Sequence, residues 1–356
     1  MKNLIVLARS ADLNSTGEKM FNWKWNLKDL KPADKNVKVF STFSCGGGST
    51  MGYKLAGFEV LGNVEIDSKI NSMYVKNFSP KYNFNMDLRK FNQLEDIPAE
   101  LFQLDILDGS PPCTTFSTAG LREKTWGKKK KFREGQTEQV LDDLFFTFLE
   151  TAEKLQPKII IAENVVGLIK DDAKGYVNLI LKKFYSLGYE VQVFKLNAAF
   201  MNVPQARERI FFIANNQHYK KLNLNFDYPL ITFGEVKTAH GKPIDENSLT
   251  AKRLKHLRPG DIDISHITRR LEGRRTNFNH MINFDDRISF TLTASGNIYR
   301  ACDKSRLSDG DFINISTFPQ DYDFCNQNVQ FVCGMSVPPN MMANIATEIY
   351  NQWLKE

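Results

Sequence analysis

The sequence predicts an α/β fold, a doubly wound Rossmann-like sheet with a second, smaller domain of irregular structure. Two observations support this prediction. Short apolar runs of strand length alternate with stretches of helical periodicity through the first two thirds of the 356-residue chain. From about residue 215 to residue 283 the alternation ends, and glycine, proline, asparagine and basic residues dominate.

Each element follows from a local pattern. An apolar strand at 37–42 runs into the turn Cys45-Gly46-Gly47-Gly48-Ser49 and a helix at 50–56, and the next strand, at 59–64, ends at Glu65-Ile66-Asp67. Further strands are predicted at 82–86, 105–109, 159–162, 189–196 and 210–214, with helices at 142–155, 176–187 and 340–353. The larger domain therefore comprises residues 1–214 and 326–356, with 1–36 as an N-terminal extension, and the smaller domain comprises residues 215–325.

Composition restricts the class of protein. A hydrophobic content of 42% is ordinary for a globular chain, and no apolar run has the length of a membrane span. The apolar stretch at the start is too short for a signal peptide, so we expect a cytoplasmic protein with no membrane partner. The five cysteines form no CxxC pair and the five histidines show no ligand spacing, so neither a metal site nor a disulfide framework is expected.

Positive charge is concentrated in two segments. Residues 252–275 contain eight basic and three acidic residues, which accounts for most of the formal net charge of +6. A second cluster, Lys128-Lys129-Lys130-Lys131, lies in the glycine-containing stretch 118–135. Lysine and arginine clusters of this kind bind the phosphate backbone of nucleic acids, although either cluster alone is also typical of a solvated surface.

A candidate nucleophile follows the strand at 105–109. Cys113 lies in the loop Ser110-Pro111-Pro112-Cys113, beyond the carboxyl end of that strand, which is where open α/β sheets bind ligands. Glu163-Asn164-Val165 follows another strand and supplies a carboxyl group. A lone cysteine is more often a small buried hydrophobe, but a thiolate paired with an acid suits addition to a cytosine ring.

The glycine turn by itself leaves three interpretations open: a dinucleotide site, a nucleoside site or close packing of a helix. An acidic residue, Glu65, lies about twenty positions after the glycines, where it is well placed for ribose hydroxyls. A nicotinamide-linked dehydrogenase would explain the glycines and Glu65, but it leaves Cys113 and Glu163 without a role.

The chain resembles the DNA cytosine-5 methyltransferases, in particular bacterial and phage modification enzymes. The resemblance lies in six blocks in the order of the family: Phe43-x-x-x-Gly47-Gly48, Glu65-x-Asp67, Pro112-Cys113 with Phe116-Ser117, Glu163-Asn164-Val165, Gln205-x-Arg207-x-Arg209 and Gly334-x-x-Val337-Pro338-Pro339. Three positions depart from the pattern, namely Cys45, Thr114 and Met335. The resemblance implies an S-adenosylmethionine-dependent methyltransferase domain with a small target-recognition domain.

The resemblance also implies a reaction. A methyl group would pass from S-adenosylmethionine to C5 of a cytosine in a specific duplex DNA sequence, after the base is flipped out of the helix. Cys113 would add to C6 of the ring and Glu163 would hydrogen-bond and protonate N3, while Asn164 orients the base. Arg207 and Arg209, on one side of a strand by alternation, would flank the base.

Binding residues are implied in the same way. Phe43 would pack on the adenine, Gly47 and Gly48 would let the backbone approach the methionine end, Glu65 would hold the ribose and Asp87 the adenine amino group. The full predicted cofactor set is Phe43, Cys45, Gly46, Gly47, Gly48, Glu65, Ile66, Asp87, Leu88, Pro112 and Ser336. The predicted DNA contacts are Ser117, Lys128, Lys129, Lys130, Lys131, Arg253, Arg269, Arg270, Arg274 and Arg275.

The biological setting implied is a bacterial or phage-infected cell, with the enzyme at the nucleoid as a monomer and a restriction endonuclease encoded separately. Two alternatives share the fold. A tRNA cytosine-5 methyltransferase would use the same chemistry on a more accessible base, but the basic segment near residue 260 favours duplex DNA. A catalytically inactive DNA-binding homologue would have little reason to keep Cys113, Glu163, Arg207 and Arg209 together.

Overall fold

The computed structural model describes residues 5–7, 21–112, 143–169, 174–274 and 280–355. Nine strands lie in the first part of the chain: β1 (Ile5–Leu7), β2 (Lys38–Thr42), β3 (Glu59–Val64), β4 (Tyr82–Phe84), β5 (Ile106–Gly109), β6 (Ile159–Val165), β7 (Glu190–Asn197), β8 (Gln205–Ala206) and β9 (Glu208–Asn215). Eight of them form one sheet in the order β1-β7-β9-β6-β5-β2-β3-β4. Every pairing is parallel except those of β9 with β6 and β7. The predicted doubly wound α/β fold is confirmed.

The helices of the larger domain cover both faces of this sheet. They are α1 (Gly48–Leu55), α2 (Ser68–Phe78), α3 (Leu88–Asn92), α4 (Leu144–Leu155), α5 (Lys174–Ser186) and, near the C-terminus, α11 (Pro339–Ile349), which continues as a π-helix over Tyr350–Leu354. Two further helices, α9 (Asp309–Ile315), within the predicted smaller domain, and α10 (Val329–Met335), pack together in a separate apolar cluster. The helices predicted at 50–56, 142–155, 176–187 and 340–353 are all present. The short strand β1 is a feature that the sequence prediction missed.

Alternation along the strands explains how one sheet builds two cores. In β6, Ile160 packs with Phe148 of α4 and Phe184 of α5, whereas its neighbour Ile161 packs on the opposite face with Met342 of α11. All five side chains are fully buried. A strand that is buried on both faces reads as a continuous apolar run, which is why the segment 159–162 was recognisable in the sequence.

The sheet directs several chain turns to one edge. Strands β2, β3, β5 and β6 are parallel, so their carboxyl ends lie together. The residues that follow are the glycine turn after β2, Glu65 after β3 and the Pro111-Pro112 segment after β5. Ligands of open α/β sheets bind at this edge.

The smaller domain contains short elements, namely α6 (Phe233–Val236), α7 (Leu249–Leu254), α8 (Ile264–Glu272), β10 (Met281–Asn283), β11 (Ser289–Phe290) and β12 (Ile298–Arg300). Its own core consists of Leu254, Ile264, Ile267, Ile282 and Tyr299. Both ends of the predicted range 215–325 also contact the larger domain. Leu222 and Leu224 pack in the core beneath α11, and the Tyr322 hydroxyl donates to the Gly46 carbonyl at 2.8 Å.

The described part of the N-terminal extension packs on the C-terminal part of the chain. The Trp25 indole donates to the Thr317 carbonyl at 2.9 Å, and the Leu27 amide donates to the Asp321 carboxylate at 2.6 Å. Across the described ranges, none of the helices combines the length and the apolar character that crossing a membrane requires.

Candidate active site

An open cleft lies at the carboxyl edge of the sheet. It contains about 830 Å³ of empty space, including solvent at its mouth, which is the size of a small-molecule site. Seven of the predicted cofactor residues line it: Phe43, Cys45, Glu65, Ile66, Asp87, Leu88 and Pro112. Two more, Gly48 and Ser336, line a smaller adjoining pocket. The structure therefore brings together most of the residues that the sequence predicted for one ligand.

The three glycines of the turn are explained by packing within the protein. A Cβ atom on Gly47, whose φ is +73°, would lie 2.3 Å from the Phe78 ring, and one on Gly48 would lie 2.0 Å from the Val337 carbonyl oxygen. On Gly46 it would lie 2.4 Å from Val332. The missing side chains therefore make room for protein atoms, and the interpretation that Gly47 and Gly48 also let the backbone approach a cofactor stays a prediction. Neither Gly46 nor Gly47 lines the cleft.

Glu65 is held rigidly at the cleft. One carboxylate oxygen accepts the Cys45 amide at 3.0 Å and the other accepts the Asp67 amide at 2.9 Å. Burial raises the pKa of Glu65, and these backbone amides oppose that increase. A fixed acceptor beside the apolar walls formed by Phe43 and Ile66 fits a nucleoside, with the ring between the walls and the ribose hydroxyls on the carboxylate.

Asp87 begins helix α3 as its N-cap residue. Its carboxylate accepts the Arg89 amide at 2.8 Å and forms an ion pair with the Arg89 guanidinium at 3.2 Å. A carboxylate can accept about four hydrogen bonds, so it retains capacity for a ligand donor. The predicted contact with an adenine amino group thus stays a prediction for a residue that also has a structural role.

The predicted acid, Glu163, forms an ion pair with Arg209. The Arg209 Nε atom lies 2.9 Å from a Glu163 carboxylate oxygen, and both side chains are largely buried. Strand pairing explains the contact, because Phe211 is directly opposite Glu163 across the antiparallel strands β6 and β9. Arg209, two residues from Phe211, lies on the same face in a diagonal position.

Asn164 connects this strand to the loop that leads to Cys113. Its side-chain amide donates to the Pro111 carbonyl at 3.0 Å and its side-chain oxygen accepts the Val165 amide at 2.9 Å. Pro112, the next residue along the loop, lines the cofactor cleft. The Glu163 strand, the Pro111–Pro112 segment and the cleft are therefore connected to one another.

Arg207 has a different environment from Arg209. It lies in the break between β8 and β9 and is 2% exposed, and its guanidinium donates to the Leu292 carbonyl at 3.1 Å and to the Gly334 carbonyl at 3.1 Å and 3.2 Å. Burial lowers the pKa of this guanidinium, and the charge of Arg209 adds to the effect. Gln205 accepts the Leu292 amide at 3.0 Å. Two of the three polar residues in this block, Gln205 and Arg207, thus hold the backbone at Leu292 of the smaller domain.

Cys45 is the described thiol that lines the cleft, so it must be compared with Cys113 as a nucleophile. Burial raises the pKa of Cys45 to about 12, and the nearby charge of Glu65 raises it further. A thiol in that state stays protonated at neutral pH and is a poor nucleophile. The departure from the family pattern at Cys45 therefore adds no second reactive group.

Several lining residues were not predicted from the sequence. Asp67, Met86, Leu144, Phe331 and Met335 contribute to the main cleft, and Ser41 and Asp108 contribute to the adjoining pocket. Met335, one of the departures from the family pattern, is 39% exposed at the cleft. An acidic residue inside the otherwise apolar run Ile106-Leu107-Asp108 was the signal that could have singled out Asp108.

Some predicted site residues lie outside the described part of the chain. They are the nucleophile Cys113, together with Ser117, Lys128, Lys129, Lys130, Lys131 and Arg275. Their assignments stay predictions. Among the residues that the structure describes, no group of three or more histidine, cysteine, aspartate or glutamate side chains is arranged to hold a metal ion.

The described arginines of the predicted DNA surface divide into two kinds. Arg253 donates to Glu272 at 2.8 Å and 3.1 Å, Arg270 donates to Asp261 at 2.6 Å and 2.9 Å, and Arg274 donates to Glu272 at 2.7 Å. Arg269 is exposed, and no ion pair joins it to another described residue. Three of the eight basic residues counted in this segment are therefore already engaged by acidic residues of the same domain.

Comparison with known proteins identifies the family. The model of the C-5 cytosine-specific DNA methylase family matches residues 37–351. The type II methyltransferase M.NgoPII of Neisseria gonorrhoeae is 31% identical over 204 residues, which are 57% of this chain and 54% of the relative. The orphan methyltransferase M.SPRI of Bacillus phage SPR is 35% identical over 164 residues, which are 46% of this chain and 32% of the relative. The chain spans about half the length of the first of these relatives and about a third of the second.

Solved structures share the fold. A DNA modification methyltransferase encoded within an E. coli prophage has a TM-score of 0.63 and 18% identity, and the match covers 90% of this chain and all of the other. Spodoptera frugiperda DNMT2 has a TM-score of 0.61 and 17% identity, with 88% of this chain and all of the other covered. With the family match over residues 37–351, these findings show that the chain belongs to the C-5 cytosine-specific DNA methylase family.

Proposed function

We propose that this chain transfers a methyl group from S-adenosylmethionine to C5 of a cytosine within a specific duplex DNA sequence. The observation that supports it most strongly is the link between the Glu163–Arg209 pair and the cleft. Asn164 on the Glu163 strand holds the Pro111 carbonyl at 3.0 Å, and the following residue, Pro112, lines the cleft. Cys113 comes next in the chain, so in this proposal a nucleophile, an acid and a nucleoside-sized cleft would adjoin one another.

The cofactor part of the proposal depends on the lining of the cleft. Phe43, Ile66 and Leu88 would enclose the adenine, while Glu65 would accept the ribose hydroxyls. When bound, S-adenosylmethionine supplies an electrophilic methyl group on a cationic sulfur. The N-terminus of helix α1, which follows the glycine turn, favours anions and would therefore contribute little to binding a cationic sulfur. This agrees with the packing role of the glycines.

In this proposal Cys113 is the covalent nucleophile. Its thiolate would form a bond to C6 of the cytosine, and the electron pair of the C5–C6 double bond would move so that C5 becomes nucleophilic. After methyl transfer to C5, that carbon would lose its proton to a water-derived base. The Cys113–C6 bond would then break, which restores the double bond and releases the thiolate.

Glu163 would hold the ring during this addition. Its carboxyl, which would take up a proton as the base enters the site, would contact the N3 and amino edge of the cytosine and deliver that proton to N3, so that negative charge does not accumulate on the ring. On release of the thiolate the proton would return from N3 to Glu163. Arg209 orients the carboxyl through the 2.9 Å ion pair and would present its remaining N–H donors to cytosine O2.

Arg207 has a positioning role in this proposal. Its two terminal nitrogens donate to the carbonyl groups of Leu292 and Gly334, whereas its buried Nε has no partner among the described residues, so the contacts that it makes secure the edge of the site. The Asn164 contact with Pro111 would set the direction of the Cys113 loop. Both residues act through the backbone that they hold.

The DNA would lie between the larger and the smaller domain, with the target base flipped into the site and phosphates bound by lysine and arginine side chains. Relatives named as type II methyltransferases support pairing with a separately encoded restriction endonuclease. We propose a monomer acting on the DNA of a bacterial or phage-infected cell. The sequence that it recognises is set by the smaller domain.

The proposal is tested by incubating the protein with labelled S-adenosylmethionine and duplex DNA of mixed sequence, followed by nuclease digestion and analysis of the nucleosides. Label in 5-methyldeoxycytidine for the wild type, with little for Glu163→Gln, is the expected result. Label only in a parallel tRNA sample would assign the substrate to RNA. Binding of DNA without label in either sample would favour an inactive DNA-binding protein.

A further inference from the structure

A small polar pocket opens beside the cofactor cleft. It contains about 260 Å³ of empty space and shares four lining residues, Phe43, Cys45, Ser110 and Met335, with the cleft. Its other polar lining consists of one carboxyl group and several hydroxyls: Asp108, Ser41, Ser44, Ser49 and Ser336. A pocket of this kind, continuous with a nucleoside site, suits a charged group attached to that nucleoside.

Asp108 is the charged residue of this pocket. It is 2% exposed on strand β5, and its carboxylate accepts the Ser41 hydroxyl at 2.9 Å and the Tyr53 hydroxyl at 3.0 Å. Both partners are neutral, and no described lysine, arginine or histidine forms an ion pair with it. A buried carboxylate without a cation is costly, and such groups are normally paired or neutralised.

A second group in the pocket, the Ser336 hydroxyl, lacks a hydrogen-bond partner among the residues that the structure describes. The Ser336 hydroxyl oxygen is buried and has no hydrogen-bond partner within the described ranges, although the weakly polar Cys45 thiol is beside it. Ser336 as a whole is 4% exposed. A carboxylate without a cation and a hydroxyl without an acceptor thus lie at one end of the cofactor cleft.

We propose that Asp108 is a cofactor-binding residue that forms an ion pair with the α-ammonium group of S-adenosylmethionine, with the Ser336 hydroxyl bound to the same amino-acid end. This inference depends on the proposed function, because it requires S-adenosylmethionine in the main cleft. It assigns to the small pocket the part of the ligand that lies beyond the nucleoside. The methyl-bearing sulfur would lie between the two.

Titration supplies independent support. Burial raises the pKa of Asp108 to about 7, with the hydroxyl hydrogen bonds opposing and the charge of Glu163 adding to the increase. Besides Glu163, the titratable groups near Asp108 are Tyr53, whose pKa is raised well above its usual value, Tyr74, whose pKa is also raised, and the Cys45 thiol of the turn, whose pKa is about 12. Asp108 is therefore the one of these four that changes charge near neutral pH. A bound cation favours its ionised form, so ligand affinity should increase as pH rises through about 7.

The test compares ligands with and without the amino-acid end. Isothermal titration calorimetry at about pH 8 would measure S-adenosylhomocysteine, which has the ammonium group, and 5′-methylthioadenosine, which lacks it. For Asp108→Asn we expect S-adenosylhomocysteine to bind about 10- to 100-fold more weakly, as for loss of a hydrogen bond to a charged group, with methylthioadenosine unchanged. Ser41→Ala, which keeps the carboxylate and removes one of its donors, is the matched control and should lose far less.

Three outcomes would overturn the assignment. Unchanged binding of S-adenosylhomocysteine, or an equal loss for both ligands, would show that Asp108 has no specific contact with the ammonium group. With S-adenosylmethionine as a third ligand, weaker binding of that ligand alone by Asp108→Asn would mean that the carboxylate contacts the sulfonium. Failure of the wild type to bind S-adenosylhomocysteine or methylthioadenosine would instead count against the proposed function itself.

The wild type offers a measurement that does not depend on folding of the variant. Between about pH 6 and about pH 8 its affinity for S-adenosylhomocysteine should rise about ten-fold, whereas that for methylthioadenosine should stay level. A level profile for both ligands would contradict the pairing with Asp108.

Discussion

Replacing Arg209 by methionine separates the two roles that the site gives to this residue. The Arg209 side chain forms an ion pair with Glu163 at 2.9 Å, and the exposed fractions of the two side chains are 15% and 10%. Methionine keeps a long apolar stem and removes the charge, so the variant leaves the Glu163 carboxylate buried without its cation.

The expected loss of stability in Arg209→Met follows from this burial. Removing one partner of a buried pair costs about 3–5 kcal/mol, and the remaining solvent contact of both groups reduces the expected loss to about 3 kcal/mol. In the double variant Arg209→Met/Glu163→Gln no charge is left unpaired. We therefore expect the double variant to regain about 1–2 kcal/mol relative to Arg209→Met alone.

Urea unfolding of the four proteins at neutral pH measures the free energies of unfolding and gives the coupling between the two positions. The matched control is Arg253→Met, which breaks the pair with Glu272 in the smaller domain. That variant should lose less stability, because its acidic partner is 33% exposed. Arg209→Met should lose both stability and activity.

Additive effects of Arg209→Met and Glu163→Gln, with coupling below about 0.5 kcal/mol, would refute the reasoning. Such a result would mean that the two side chains do not interact in solution. Full methyl transfer by Arg209→Met would also remove Arg209 from the mechanism.

Three further predictions concern the turn, the buried carboxyl and the smaller domain. Gly48→Ala places a Cβ 2.0 Å from a backbone oxygen and should lower the free energy of unfolding, measured in urea, by about 3 kcal/mol. At Gly260 a Cβ would meet no atom within 4 Å, so Gly260→Ala should change this free energy little. Equal effects would contradict the packing role of the turn. Because the folded-state pKa of Asp108 is raised from 3.8 to about 7, its contribution to stability is full at acidic pH and is lost as pH rises through about 7. Between about pH 5 and about pH 8, the free energy of unfolding of the unliganded wild type should thus fall by about 3 kcal/mol relative to that of Asp108→Asn. Parallel stability profiles of the two proteins would contradict this. Arg269→Ala should reduce the salt dependence of DNA affinity and leave the melting temperature of the protein unchanged. Arg270→Ala leaves the buried Asp261 carboxylate unpaired, so it should lower the melting temperature. The reverse pattern would assign the DNA contact to Arg270.

The sequence predicted the sheet well because its strands are local signals. The runs at 59–64, 105–109 and 159–162 are apolar and short, and each became a strand with nearly the predicted limits, since burial on both faces requires such runs. Strand β1 at Ile5–Leu7 was missed because three residues give too little periodicity. Its partner, β7, is almost two hundred residues away in the chain.

The sequence indicates site residues where a single residue type carries the chemistry. It does not reveal those whose role depends on contacts with residues far away in the chain. Glu65 lines the cleft, and Glu163 precedes Asn164, whose side chain holds the Pro111 carbonyl; the roles of both glutamates stay predictions. The packing role of Gly48 depends on Val337, which no local pattern reveals. Arg207 and Arg209 were predicted to share one side of a strand, but the strand break at Arg207 turns its side chain toward Leu292.

The most direct test of the proposed reaction is a covalent trap. Wild type and Cys113→Ser would be incubated with labelled S-adenosylmethionine and duplex DNA containing 5-fluorocytosine, whose C5 fluorine cannot leave as a proton does. A labelled protein–DNA band on denaturing electrophoresis for the wild type only is the result that we predict. A band that persists in Cys113→Ser, or methylated product from wild type with no trapped complex, would contradict attack on C6 by Cys113.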